Sequence, residues 1–425
     1  MLTIAEFMDN KLQKKAAIVL IAGVLVNLTV GVLYAWSVLK VRMTAPVTEN
    51  GWGLTSSQAG LPYTFAIVFL ALGLLIGGRI QDKIGPRWVV TSGGVLAGFG
   101  IILAGLIGNS AIGLTVSFGI IAGLGIGFAY GCVTPPALKW FHPSKKGLVS
   151  GLIVGGFGLS AVYYAPLANT LLNNFGLERT LLFLGAGVLI VTVTIAQFIK
   201  NPPPGYVPAA PEKIKQSITA SVSAINYTWR EMIKTKRFYL MVIIFLLTSS
   251  VGLMVIGNMT KIASTQAGIT YTMILAMLVS FLAFVNSVGR VIGGFMSDKI
   301  GRINALFVVF VLQMLNMIGF VFYQSLPALI IGIIGIGFCF GTLLAVFPAL
   351  TADQFGLKNY GANYGIVFLA WGLSGVVAPV IANYFFDIHG NFTVTYIICA
   401  IMMVVMIFIN FLLKKEIVEA AKVKL

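Results

Sequence analysis

Apolar stretches long enough to cross a lipid bilayer recur from one end of this chain to the other. A transmembrane helix needs about 20 such residues, and short polar segments separate each stretch from the next. The chain is 58% hydrophobic and only 9% charged, which is too apolar for a single water-soluble core. The sequence therefore predicts an all-α membrane protein with twelve transmembrane helices, over residues 16–39, 57–78, 88–107, 113–137, 148–171, 179–199, 238–260, 272–296, 303–323, 327–350, 360–384 and 393–413.

The distribution of lysine and arginine predicts the orientation of these helices. With the N-terminus inside, 23 of the 28 Lys and Arg residues fall in inner segments. Four lie in outer loops, and Arg290 lies within a predicted helix. Basic residues accumulate on the cytoplasmic side, so we expect both termini in the cytoplasm and the chain in the plasma membrane, which is the cytoplasmic membrane in a bacterium. The net charge of +16 thus indicates topology rather than nucleic-acid binding.

Other classes of function find no support in the residues. The first apolar stretch is too long for a cleavable signal peptide. Cys132, Cys339 and Cys399 all fall within predicted helices, which argues against disulfides and zinc sites. The glycine-rich segment 123–128 lies inside a predicted helix and not after a soluble strand, as a dinucleotide loop would. We therefore expect no metal, no cofactor and no enzymatic activity.

The chain repeats itself at an offset of about half its length. GIGFAYG, from Gly125, returns as GIGFCFG, from Gly335. Similarly, GLIVGGFGLSAVYYAPLAN, from Gly151, returns as GIVFLAWGLSGVVAPVIAN, from Gly365. Parallel repeats of this kind are typical of transporters, and they predict two pseudo-symmetric halves of six helices each.

The longest polar segment, residues 200–237, separates the two halves. Its prolines and charges are incompatible with a membrane-spanning helix, so we interpret it as a cytoplasmic linker between domains 1–199 and 238–425. The second part of the linker is compatible with an amphipathic helix on the membrane surface and equally with a solvated tether.

A short loop motif occurs once in each half. A helix ends, Asp-Lys-Ile-Gly follows, and an arginine begins the next helix. Glycine permits the tight turn, and the aspartates can cap helix ends or pair with arginines. The motif residues are Gly78, Asp82, Gly85, Arg87, Asp298, Gly301 and Arg302.

With this paired motif, the chain resembles the major facilitator superfamily over essentially its whole length. The strings GVLYAWSV, WFHPSKKGLVSG and NSVGRVIGGFMSDKIGR are similar to those of the oxalate/formate antiporter and monocarboxylate transporter branch. The resemblance implies a carrier of small organic carboxylates that works by alternating access. It also implies that Arg290 anchors the substrate carboxylate, with binding-site aromatics at Tyr34, Tyr130, Phe157, Phe340 and Trp371.

Arg290 points to an anionic substrate independently of that resemblance. A charge within the membrane costs from about 2.5 to more than 10 kcal/mol and needs a polar partner. None of the 12 acidic residues falls in the interior of a predicted helix, so we expect the substrate to supply the carboxylate for the guanidinium. Asn286, one turn earlier on the same face, is placed to orient Arg290 or to bind the substrate. Packing through backbone carbonyls or water is the alternative interpretation.

Three positions depart from the family pattern. Proton-linked monocarboxylate transporters have an aspartate where this chain has Asn286, and a lysine where it has Val38, which puts their proton relay in doubt here. Oxalate/formate antiporters have a second cation, a lysine, at the position of Trp371. With one cation left, the resemblance implies a monocarboxylate such as lactate or pyruvate.

The aromatic positions would leave a small cavity around Arg290. Tyr34 and Tyr130 each offer a hydroxyl group and an apolar ring, which suits a short acid with one hydroxyl or keto group. Phe157 and Phe340 are equally compatible with interhelical packing.

For the mode of transport we favour proton-coupled symport of a monocarboxylate by a monomer. Carboxylate exchange remains the main alternative, and a sugar or drug carrier of the same fold is a further one. A cationic-drug carrier would need a buried acid, and sugar carriers usually have more intramembrane amides and acids than this chain.

Overall fold

The computed structural model describes residues 4–208 and 226–422, and these residues form an almost entirely helical bundle. A 3-10 turn, Gly31–Ala35, joins the first two helices, and a π-helix, Thr115–Ala122, joins the fifth to the sixth. In chain order the α-helices are α1 (Ile4–Val30), α2 (Trp36–Thr44), α3 (Ser56–Ile84), α4 (Pro86–Ile107), α5 (Ala111–Leu114), α6 (Gly123–Trp140), α7 (Lys146–Ala196), α8 (Trp229–Met232), α9 (Lys236–Ala267), α10 (Thr272–Ile300), α11 (Arg302–Phe320), α12 (Leu326–Phe355), α13 (Tyr360–His389) and α14 (Thr393–Lys422).

Eleven helical segments of the described residues are long and apolar enough to cross a membrane. One of them, Pro143–Ala196, contains 54 residues, which at about 1.5 Å per residue is more than two crossings require. Gly176, with φ 78° and ψ 178°, interrupts this segment, and only glycine adopts such a conformation readily. The segment therefore crosses twice, with a shorter connection than the sequence predicted. The predicted all-α fold with twelve crossings is confirmed.

The first six crossings and the last six form two halves that meet through close helix pairs. α10 packs against α7, and α13 packs against α3. Gly78 of α3 faces Gly361 of α13 so closely that a methyl group on Gly78 would lie 2.9 Å from the Cα of Gly361. Small residues permit such contacts between membrane helices.

Both Asp-Lys-Ile-Gly loops lie at one end of the bundle, which we call the motif end. Gly85 (φ 90°) ends α3, and Gly301 (φ 87°) ends α10. In each loop the next helix begins at the following residue. This connection needs the positive φ that glycine tolerates.

The described end of the linker is attached to the second half. The side-chain oxygen of Asn226 accepts hydrogen bonds from the backbone N–H groups of Leu357 and Lys358, at 3.1 and 2.9 Å. The backbone N–H of Tyr227 donates to the carbonyl oxygen of Phe355 at 3.0 Å. The second part of the linker was expected to form a surface helix or a tether. Most of this part falls within residues 209–225, which lie outside the described residues.

Candidate functional site

Arg290 lies on α10 with its side chain inside the protein, and it is only 2% exposed. Its Nε donates a hydrogen bond to Oδ1 of Asn286, at 2.9 Å. Its Nη1 donates to the backbone carbonyl of Val154 in α7, at 2.6 Å. Because α7 belongs to the first half and α10 to the second, the guanidinium group joins the two halves.

Glycines of α7 make room for Arg290. A methyl group on Gly158 would lie 3.2 Å from Cζ of Arg290 and 2.6 Å from Oγ of Ser287. A methyl group on Gly151 would lie 3.0 Å from the carbonyl carbon of Arg290. Packed interiors do not accommodate contacts this short without rearrangement. These glycines, which belong to the repeated segment, therefore allow the arginine to pack against α7.

No carboxylate in the part of the chain that the structure describes neutralises Arg290. The ion pairs found there involve other residues and lie at helix ends. Within the same residues, Nη2 of Arg290 donates to no protein acceptor. The bond to Val154 is one that a purely structural arginine would also make. The uncompensated charge distinguishes Arg290 from such a residue, because a buried ion without a counter-charge is costly.

Aromatic side chains from both halves meet close to this arginine. The ring of Phe157 lies 5.6 Å from that of Tyr34 and 4.9 Å from that of Tyr130, measured between centroids. The ring of Phe368 then lies 5.8 Å from Tyr130 and 4.9 Å from Trp371. The structure thus brings together four of the aromatic residues singled out in the sequence.

Phe368 and Tyr364 were missed by the sequence reasoning, and both belong to this group. They lie on one face of α13 with Trp371, and the ring centroids of Tyr364 and Phe368 are 5.7 Å apart. Phe368 also contacts the ring of Tyr130 and so connects Tyr364 to the rings of the first half. The spacing Tyr-x-x-x-Phe-x-x-Trp, which places three rings on one helical face, was a signal that could have found them.

Phe340 lies apart from these rings. It is 5% exposed on α12, and its ring packs against Gly252 of α9, where a methyl group would lie 2.9 Å from Cε2. None of the ring contacts among the described residues includes Phe340. This environment favours the packing interpretation for Phe340.

At the motif end, Asp298 holds the first turn of a helix in the opposite half. Its carboxylate oxygens accept hydrogen bonds from the backbone N–H groups of Gly147 and Leu148, at 2.8 and 2.7 Å. Nη1 of Arg302 donates to the same carboxylate at 2.6 Å. A carboxylate at a helix N-terminus is favoured by the free N–H groups and by the helix dipole, so this aspartate links α10 to α7.

Asp82 does the same in the other loop, without an arginine. It accepts hydrogen bonds from the backbone N–H groups of Gly361 and Ala362 at the start of α13, at 3.3 and 3.0 Å. Arg87 instead donates from Nε to Oε1 of Gln197, at 2.7 Å. Among the described residues, therefore, only the second loop combines capping with an ion pair.

Comparison with known proteins places these features in a family. The family model described as "Major Facilitator Superfamily" matches residues 17–338 and 314–424. Three curated relatives cover most of the chain. YhjX of Escherichia coli K12, an MFS-type transporter, is 28% identical and covers 86% of this chain and 87% of its own. The oxalate:formate antiporter of Oxalobacter formigenes is 27% identical (82% and 80%), and rat monocarboxylate transporter 13 is 24% identical (87% and 82%).

Solved structures share the fold. The crystal structure of the human organic anion transporter MFSD10 superimposes with a TM-score of 0.70 at 14% sequence identity, covering 94% of this chain and 99% of that one. At this level of identity the likeness concerns the architecture alone.

Proposed function

Since the chain belongs to the major facilitator superfamily, a family of membrane carriers, we propose that it is a secondary transporter of small monocarboxylates such as lactate or pyruvate. In this proposal Arg290 binds the substrate carboxylate, and Asn286 orients the guanidinium group. Tyr34, Tyr130, Phe157 and Trp371 surround the acid.

One observation carries the proposal, namely the buried charge of Arg290 without a carboxylate partner among the described residues. Nε and one proton of Nη1 are engaged by the protein, which leaves the Nη2 side of the fork for a ligand. A carboxylate fits that side because guanidinium donates two parallel N–H groups. The relatives named for oxalate, formate and monocarboxylates support the same class of substrate.

The absence of a second cation favours a monoacid. Trp371, at the position where the resemblance places a lysine of oxalate/formate antiporters, offers a neutral N–H donor instead. A second carboxylate in this position would meet one neutral donor and no positive charge, which does not compensate the cost of desolvating an anion. The large rings around Arg290 also favour a short substrate.

We place the motif end in the cytoplasm, because most basic residues lie in the segments on that side. Both termini are then cytoplasmic, and the protein acts as a monomer in the cytoplasmic membrane. The hydrogen bonds and ion pairs that join the halves among the described residues lie at the motif end or at Arg290. The arrangement corresponds to the state closed towards the cytoplasm, and rocking of the halves would open that side.

Proton-coupled symport is our preferred mode, with exchange of carboxylates as the second. Symport would let a monoacid accumulate against its gradient. No carboxylate lies beside Arg290 among the described residues, so the coupled proton would travel with the substrate or through water. Exchange is favoured specifically by the relative named as an oxalate:formate antiporter.

Uptake into liposomes tests the proposal directly. The purified protein should accumulate radiolabelled lactate or pyruvate, and faster with an inward proton gradient. Arg290→Ala should abolish uptake and binding, because it removes the anchoring charge. Arg290→Lys, which keeps a charge without the planar fork, should retain weak binding.

Two outcomes separate the alternatives. Uptake that ignores the proton gradient and responds to preloaded carboxylate would replace symport by exchange. Thermal stabilisation by neutral sugars or by organic cations, with none by any monoacid, would refute the carboxylate assignment.

A further inference from the structure

Tyr364 has a buried hydroxyl group that the protein leaves unused. The residue is 3% exposed, and its hydroxyl has no hydrogen-bond partner among the described residues. Tyr360 and Tyr164, which are also buried, do find partners. The hydroxyl of Tyr360 donates to the carbonyl of Pro348 at 3.1 Å, and that of Tyr164 donates to the carbonyl of Thr29 at 2.6 Å. Burying a polar group without a partner is unfavourable, so the burial of Tyr364 needs a physical reason.

The position of Tyr364 supplies one. Its ring lies 5.7 Å from that of Phe368, which in turn contacts the rings of Tyr130 and Trp371. The indole nitrogen of Trp371, on the same helical face, is also without a partner among the described residues. Tyr364, with its unused hydroxyl, thus belongs to the aromatic group of the candidate binding site.

We infer that Tyr364 is a specificity-determining residue that binds the oxygen on C2 of a 2-oxo or 2-hydroxy monocarboxylate. This inference rests on the proposed function and goes further in naming the subclass of acid. Arg290 supplies the donors that a carboxylate requires. The one other polar atom of a short 2-oxo or 2-hydroxy acid is the C2 oxygen.

A phenolic hydroxyl suits that oxygen in either oxidation state. It can donate to the keto oxygen of pyruvate, and it can donate to or accept from the hydroxyl group of lactate. An unsubstituted acid of similar size, such as propionate, leaves the Tyr364 hydroxyl unpaired. A site that hydrogen-bonds a substrate oxygen discriminates against the analogue lacking it far better than an apolar pocket discriminates between alkyl groups.

The test compares Tyr364→Phe with the unmodified protein in binding of pyruvate, lactate and propionate. We expect the unmodified protein to bind pyruvate and lactate about tenfold more tightly than propionate. Tyr364→Phe should abolish most of this preference by weakening binding of the two oxygenated acids, and it should leave propionate unchanged. The melting temperature of the ligand-free protein should not fall and should rise slightly, because the substitution removes a buried hydroxyl group that bonds to no described residue.

Tyr384→Phe is the matched control. Tyr384 lies on the same helix and is 62% exposed, so its substitution should change none of the three affinities. Equal binding of pyruvate and propionate by the unmodified protein would overturn the role of Tyr364 while leaving the proposed function intact. The role would also be overturned if Tyr364→Phe weakened all three acids equally, since Tyr364 would then bind the carboxylate. Failure of the unmodified protein to bind any of the three would overturn both.

Discussion

Arg290 makes the contacts of a structural residue and keeps a charge that no carboxylate of the described residues neutralises. Its Nε and Nη1 are fixed by Asn286 and by the carbonyl of Val154, which restricts the guanidinium group to one orientation. A site whose groups are already fixed loses less conformational entropy when a ligand binds. The protein therefore holds the arginine in place without cancelling its charge.

Trp371→Lys should convert a one-cation site into a two-cation site. The variant should bind oxalate at least about tenfold more tightly relative to pyruvate than the unmodified protein does, because a second ammonium group can pair with the second carboxylate. Competition against a labelled monoacid measures both affinities. Trp371→Phe removes the indole without adding charge and serves as the control, with no gain for oxalate. An unchanged ratio in Trp371→Lys would show that position 371 does not face the substrate.

At the residue scale, the sequence identified the candidate residue that stands out by its charge. It missed the features that depend on contacts in the folded protein. Arg290 could be found because a single cation stands out in an apolar segment. The ring spacing on α13 could have indicated Tyr364, but not its unused hydroxyl, because the absence of a hydrogen-bond partner among the described residues is visible only in the folded protein. The same holds for Phe340, whose type fits both a pocket and an interface, and whose contact with Gly252 is visible only in three dimensions.

At the scale of helices, the repeated Gly-Leu-Ser segment performs corresponding tasks in the two halves. Gly158 of α7 faces Arg290 of α10, and Gly372 of α13 faces α3, where a methyl group would lie 2.8 Å from Cβ of Ala71. Each glycine therefore lies on the surface that one half presents to the other. Ser160 and Ser374, two residues later in each copy, bond back to the carbonyls of Phe157 and Trp371 at 2.6 Å.

Gly158→Ala should weaken substrate binding without contacting the substrate. The added methyl group would meet Cζ of Arg290 and Oγ of Ser287, so the guanidinium group or the helix must shift. We expect a loss of about 1–3 kcal/mol in stability, as for other overpacked sites, and at least about a tenfold loss in affinity for pyruvate. Thermal unfolding and ligand binding measure the two effects.

Gly187→Ala provides the comparison for this substitution. Gly187 lies in the second crossing of α7, beyond Gly176, and a methyl group there would meet nothing within 4 Å. Its substitution should keep the affinity unchanged and should not lower the melting temperature, because alanine is a better helix former than glycine. Equal behaviour of the two variants would contradict the packing argument at Gly158.

The lengths of the apolar stretches predicted the helices. The connections between helices, and which helices pack together, depended on three-dimensional contacts. The twelve crossings follow from apolar stretches of membrane-spanning length. In a bilayer such a stretch forms a helix, because a helix pairs all of its backbone N–H and C=O groups within itself. The sequence did not predict that a single residue, Gly176, would suffice to separate two crossings. Nor did it predict that Asp82 and Asp298 would cap helices of the opposite halves, because capping across halves requires knowledge of which helices meet.

At the scale of the whole molecule, the described contacts between the halves are concentrated at the motif end. Asp353 of α12 occupies the centre of this region. Its carboxylate pairs with Lys146, which begins α7, at 2.8 Å, and with Arg302 at 3.0 Å. Lys146 and Arg302 are both largely buried, with side chains 10% exposed. One carboxylate therefore connects the first half to the loop motif of the second.

Asp353→Asn should shift the protein towards the state that is open at the motif end. The substitution removes the carboxylate charge from two ion pairs, and partly buried pairs contribute more than exposed ones. Spin labels on cysteines at positions 83 and 358, two exposed lysines on opposite halves, would report the opening in a background without native cysteines. We expect the distance distribution of Asp353→Asn to gain a longer component that the parent lacks.

The matched control is Glu419→Gln, which breaks the exposed pair between Lys415 and Glu419 within α14. This pair joins no two halves, so its loss should leave the distance distribution unchanged. A population shift needs only a difference in free energy between the two states, and removal of an inter-half contact raises the free energy of the closed state alone. If the distances in Asp353→Asn match those of the control, then the two aspartate caps alone hold the motif end closed. In that case the double variant Asp82→Asn, Asp298→Asn should open it.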